Sequence, residues 1–122
     1  FILSDPAAGS TSLKVIRTAG GEPRELLKLR GPEEFAGNTL AWTQDGTQVL
    51  FGKAVAPSDQ NKTELWRIPA EGGEPQPLGL AMVGLSGLGF HPDGRRIVFA
   101  AGKDKAEVWA LENFLPTPRA AK

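Results

Sequence analysis

The chain has no cysteine and no tyrosine, and only one histidine and one methionine in 122 residues. Without cysteine there is no disulfide, no thiolate-held zinc or iron–sulfur site and no cysteine nucleophile. With a single histidine, any Ser-His-Asp arrangement must use His91, and a transition-metal site would need mostly carboxylates; the Asp-x-Asp spacing of calcium loops is missing as well. Net charge is also absent. The 14 Lys and Arg cancel 14 Asp and Glu, so neither a basic field for nucleic acid nor an acidic face for cations marks the chain. No apolar run approaches the roughly 20 residues of a membrane helix; the longest candidate, Leu78 to Phe90, is short and holds four glycines. The expectation is no metal, no cofactor, no nucleic-acid partner and no membrane span.

What is plentiful is turn chemistry: 15 Gly and 10 Pro in a chain that is 40% hydrophobic and 23% charged. That composition fits a globular chain of short elements. Two internal repeats organise it. Trp42-Thr43-Gln44-Asp45-Gly46-Thr47-Gln48-Val49-Leu50-Phe51 aligns without a gap on Phe90-His91-Pro92-Asp93-Gly94-Arg95-Arg96-Ile97-Val98-Phe99, 48 residues on. Ser12 to Arg17, running to Gly20-Gly21-Glu22-Pro23, aligns at an offset of 52 on Glu64 to Pro69, running to Gly72-Gly73-Glu74-Pro75. A third, partial copy of the second repeat is Glu107-Val108-Trp109-Ala110-Leu111.

Asp-Gly between two apolar stretches is a hairpin signal, because Gly accepts the positive φ of a tight turn and Asp bonds its own backbone. Asp45-Gly46 and Asp93-Gly94 therefore predict two tight turns, each followed by a strand that is apolar on both faces and so buried on both. Gly20-Gly21 and Gly72-Gly73 mark a second kind of turn, with Pro23 and Pro75 placing the following strand at a sheet edge. The repeat unit reads as strand a (40–43), an Asp-Gly turn, strand b (48–53), a variable loop, strand c (64–69), a Gly-Gly turn and strand d (76–80). Four antiparallel strands in roughly 45 residues is the pattern of one propeller blade.

These motifs, with Leu65-Trp66-Arg67-Ile68, resemble the WD-repeat-like propeller repeats of the TolB type. Those repeats typically carry Ser-Pro-Asp-Gly, where Thr43-Gln44 and His91-Pro92 stand in here for Ser-Pro. The fold class expected is all-β, a β-propeller fragment of about two and a half four-stranded antiparallel blades: a partial blade over 1–29 (strands b, c, d), a complete blade with its leading loop over 30–80, a partial blade over 81–114 (strands a, b, c) and a tail over 115–122. The remaining blades would come from a longer parent chain or from another copy, since a ring needs at least about four.

Catalytic readings find little in the residues. Gly84-Leu85-Ser86-Gly87-Leu88 misses the nucleophile-elbow pattern by one position, Leu88 for Gly. His91 aligns with Thr43 inside an Asp-Gly turn and reads as a turn residue. Trp42, Trp66 and Trp109, with Phe51, Phe90 and Phe99, recur at matched positions and read as packing between blades. Lys103, Lys105, Arg95 and Arg96 read as a solvated rim. Thr39, Trp42, Phe90 and His91, near the ends of strand a, are the candidates for facing a central channel. The function expected is a non-enzymatic scaffold whose loops meet a protein or peptide; the alternatives are the propeller of a prolyl-oligopeptidase-like peptidase and the sensor propeller of a bacterial signalling protein. The resemblance alone favours a periplasmic location.

Overall fold

The computed structural model describes residues 1–54, 62–102, 107–113 and 115. Lys103, Lys105, Phe114 and the tail from Pro116 onward lie outside the described residues. The described residues form ten antiparallel strands and no helix: β1 (Ile2–Asp5), β2 (Ser10–Val15), β3 (Arg24–Arg30), β4 (Glu34–Trp42), β5 (Gln48–Ala54), β6 (Lys62–Pro69), β7 (Gln76–Val83), β8 (Ser86–Phe90), β9 (Arg96–Ala101) and β10 (Glu107–Glu112). They pair as three meanders, β1-β2-β3, β4-β5-β6-β7 and β8-β9-β10, each strand hydrogen-bonded to its neighbour in sequence. Short connections force this, because the four to eight residues between paired strands are too few for the crossover of a dozen or more that a parallel pair needs. The strands after both Gly-Gly turns, β3 and β7, end their sheets as the prolines require.

The four-stranded sheet is stacked between the other two, and alternation along β5 shows how. Val49 and Phe51 point one way, into a core with Leu13, Leu29, Phe35 and Ile68. Leu50 points the other way, joining Leu65, Leu85, Ile97, Phe99 and Ala101 in a second core. Phe51, Leu50, Leu65 and Ile68 are all fully buried. A side chain of this kind contributes about 1.5–3 kcal/mol when taken from water, so these two apolar layers bind the three sheets together.

Three expectations are corrected. Strand a begins at Glu34 rather than Leu40. It crosses a bulge between Ala36 and Leu40 and goes on pairing with Lys53 and Ala54, because the far half of β5 needs a ladder partner there; Phe35 then meets Phe51 edge-on at 5.5 Å, and Glu33 pairs with Lys53 at 2.7 Å. The strand after the second Asp-Gly turn is not buried on both faces: Ile97 and Phe99 are, but Val98 is 37% exposed. Val98 is the counterpart of fully buried Leu50, and the third sheet has no described neighbour on that side. For the same reason of position, Trp42 (50% exposed) and Trp109 (44%) are not enclosed packing residues, whereas Phe51 and Phe99 are.

Candidate functional site

In a four-stranded meander the first-to-second and third-to-fourth turns fall at the same end. Both Asp-Gly turns and both Gly-Gly turns consequently gather at one end of the stack. Within the second sheet the two kinds are joined directly, the Ala70 N–H donating to the Thr47 carbonyl at 2.9 Å.

The first Asp-Gly turn is held by its own side chains. The Thr43 hydroxyl donates to Asp45 Oδ1 at 2.7 Å, and the same oxygen accepts from the Thr47 N–H at 3.0 Å and the Thr47 hydroxyl at 2.8 Å. Those donors, Thr43 first, hold the Asp45 carboxyl below its ordinary range. The Thr43 hydroxyl oxygen also accepts from the Gln48 N–H at 3.1 Å. Gly46 closes the turn at φ 71°, and Gly94 closes its counterpart at φ 70°, a region where a Cβ is strained.

In the second turn His91 replaces Thr43. The Asp93 N–H donates to His91 Nδ1 at 3.2 Å, the Arg95 N–H donates to Asp93 Oδ1 at 2.9 Å, and Arg96 Nε donates to Asp93 Oδ2 at 3.0 Å. The Arg96 guanidinium also lies 3.1 Å from His91 Nε2 and 3.8 Å from Glu112. The Arg95 N–H, then the Arg96 side chain with its hydrogen bond and its charge, lower the Asp93 carboxyl to about 2. Arg96 is thus a structural tie and not a freely solvated rim charge. His91 does have orienting partners, which the sequence reading missed; the signal available was an Asp two residues on and an Arg five residues on. These partners lie in or beside its own turn and make it a brace of that turn.

The Gly-Gly turns repeat each other: Gly20 donates to the Arg17 carbonyl at 2.9 Å and Gly72 to that of Pro69 at 3.0 Å, with positive φ at Gly20, Gly21, Gly72 and Gly73. The Arg24 guanidinium reaches from the first sheet to the carbonyls of Ala70 and Glu71 in the second sheet's turn. Between these turns opens a groove of about 690 Å³, lined by Ile16, Arg17, Arg24, Trp42, Gly46 and Glu71 among others. Its wall is apolar where Ile16 and Trp42 stand half exposed and mixed in charge around them.

Of the four candidate channel residues, Trp42 opens onto this groove and His91 sits in the second turn. Phe90 packs against the second core. Thr39 lines no open space: it is fully buried, and its hydroxyl donates to the Leu85 carbonyl at 3.1 Å, fastening the second sheet to the third. Among the described residues no three His, Asp or Glu side chains come together as a metal site.

Three antiparallel meanders stacked face to face, their cores shared between successive sheets, also occur in solved structures. TolB from Acinetobacter baumannii superposes with a TM-score of 0.68 at 22% identity over 92% of this chain. The fold is that of a TolB-like β-propeller segment. A putative dipeptidyl aminopeptidase IV from Bacteroides ovatus matches with a TM-score of 0.61 at 20% identity over 84% of the chain. The propeller segment spans 27% of the first protein's length and 16% of the second's. No protein-family model and no curated protein sequence matches it.

Proposed function

We propose that this propeller segment is a non-catalytic interaction module that takes a protein or peptide on the turn-bearing end of its blades. The observation that carries this reading is the groove of about 690 Å³ between the Gly-Gly and Asp-Gly turns. Half-exposed Trp42 and Ile16 offer apolar anchors, and Arg17, Glu22, Arg24 and Glu71 offer a polar surround. An aromatic anchor within a polar rim is the composition of a peptide-binding surface. The turns that frame it are braced by internal hydrogen bonds, so little ordering entropy opposes binding there.

Selection of displayed peptides on the immobilised 122-residue chain tests the reading. Enriched peptides should bind it in solution, and Trp42→Ala and Arg17→Ala should each weaken binding by about tenfold. A selection that enriches no sequence, or binding indifferent to both substitutions, overturns it. The likeness to a dipeptidyl aminopeptidase IV supports a second reading, the propeller of a peptidase whose hydrolase domain lies elsewhere in a longer protein. In that case the selected peptides should be cleaved by the parent protein and not by this segment.

A further inference from the structure

His91 is the chain's one histidine, and its ring stands between two kinds of partner. Nδ1 lies 3.2 Å from the Asp93 backbone nitrogen, a donor, and also 3.2 Å from Asp93 Oδ1, an acceptor. A neutral imidazole with its proton on Nε2 only accepts at Nδ1, so it takes the N–H; an imidazolium is protonated on both nitrogens and only donates, so it takes the carboxylate. Both partners are already within reach of one atom. The turn backbone is pinned independently of the ring, since the His91 N–H donates to the Arg96 carbonyl and the Gly94 N–H to the His91 carbonyl, each at 2.9 Å. Side chains alone make the exchange.

Arg96 responds to the same proton. Its Nη2 is 3.1 Å from His91 Nε2 and 3.4 Å from Nδ1. The lone-pair directions of the two ring nitrogens diverge, so an atom this near to both lies over the ring face and in line with neither. A cation there tolerates a neutral ring and is repelled by a charged one. The Arg96 Nε lies between two carboxylates, 3.0 Å from Asp93 Oδ2 and 3.8 Å from Glu112 Oε1 on β10. Among the described residues, the charged groups around the ring are therefore Asp93 and Arg95 of its own turn, Arg96 of β9 and Glu112 of β10. The neighbouring turn adds Asp45, which lines a pocket with Gly94.

We propose that His91 is a proton-operated switch at the turn end of the third sheet. On taking a proton from water at Nδ1, the ring releases the Asp93 N–H, donates to Asp93 Oδ1 and drives the Arg96 guanidinium off its face toward Glu112. The ring is 42% exposed, so solvent reaches it directly. Imidazole is the side chain whose charge changes between about pH 5 and 8, and Thr43, at the same place in the second sheet's turn, has no such proton to gain. The result is a turn surface whose free backbone donor and whose cation position depend on pH. It lies apart from the groove between the first two sheets and does not rest on the interaction-module reading.

NMR titration of the isotope-labelled 122-residue chain from about pH 8 to pH 5 tests the switch. The Asp93 amide proton should move upfield, as for a lost hydrogen bond, and the Arg96 side-chain signals should shift, both with the midpoint of the His91 ring signals. His91→Thr, which installs the residue of the second sheet's turn, should abolish both responses while the signals of β5 and β6 stay in place. Glu112→Gln should leave the Asp93 response intact and shrink that of Arg96. An Asp93 amide or an Arg96 side chain that ignores the ring titration overturns the proposal. So does a response that persists in His91→Thr, or an Arg96 shift indifferent to Glu112→Gln.

Discussion

Gly52 shows how much one missing side chain can matter. It lies in β5 between Thr39 of β4 and Thr63 of β6, and a Cβ added there would stand 2.6 Å from Thr39 Cβ and 2.7 Å from Thr63 Cγ2. Both threonines are buried, Thr39 completely, and Thr39 is fixed by its bond to Leu85, so neither can give way. Gly52→Ala should therefore destabilise the chain by about 1–3 kcal/mol, read as a lower urea midpoint at unchanged slope. Asp93 supplies a different residue-scale test. Its folded pKa is depressed from 3.8 to about 2, so the charged form favours the folded state, and that contribution is present above pH 3.8 and lost as pH falls through about 2. Stability measured across that window should decline, and Asp93→Asn should flatten the part of the decline that belongs to this group. An unchanged profile would mean that the Arg95 and Arg96 bonds do not hold the carboxylate in solution.

At the scale of elements, the two turns show what a side chain does for a hairpin. The Thr43 hydroxyl both donates to Asp45 and accepts from the Gln48 N–H. Thr43 is 3% exposed, so water cannot readily replace it. Thr43→Val keeps the shape but leaves the Gln48 N–H without its acceptor, at a cost of about 1–3 kcal/mol; Thr43→Ser should restore most of the loss, and equal stability of the two variants would show that the hydroxyl is dispensable. Elements with local chemistry were legible in the sequence: Asp45-Gly46, Asp93-Gly94 and the two Gly-Gly-Glu-Pro runs mark turns because only a few residues accept those backbone angles. The first half of β4 was not. Glu34-Phe35-Ala36-Gly37-Asn38-Thr39 has no alternation of apolar residues, and it is held as a strand by pairing with β5 across a bulge, a non-local interaction that propensity does not encode. The brace at His91 was equally hidden, since the imidazole holds its turn by a different bond from the threonine hydroxyl it replaces, accepting from the Asp93 N–H.

At the scale of the whole molecule, the stack decides what a residue costs. Leu50 and Val98 hold the same position in the repeat, one residue before the closing Phe, and both point toward the following sheet. The third sheet covers Leu50, which is fully buried, whereas Val98 is 37% exposed and has no described sheet above it. Across the ladder Leu50 lies opposite the partly buried Arg67, while Val98 lies opposite the exposed Ala110 on a face that also leaves Val108 78% exposed. Repeat position alone predicts equal effects of truncation; burial predicts unequal ones. Leu50→Ala should cost about 2–5 kcal/mol, the range for emptying an enclosed aliphatic site. Val98→Ala should cost under about 1 kcal/mol, because solvent already reaches the methyls it removes. Denaturant unfolding of the 122-residue chain at micromolar concentration separates the two. A comparable loss for both would mean that the outer face of the third sheet is covered in solution, and repeating the Val98→Ala measurement over a range of protein concentrations would then show whether a second copy covers it, since only that source of stability grows with concentration.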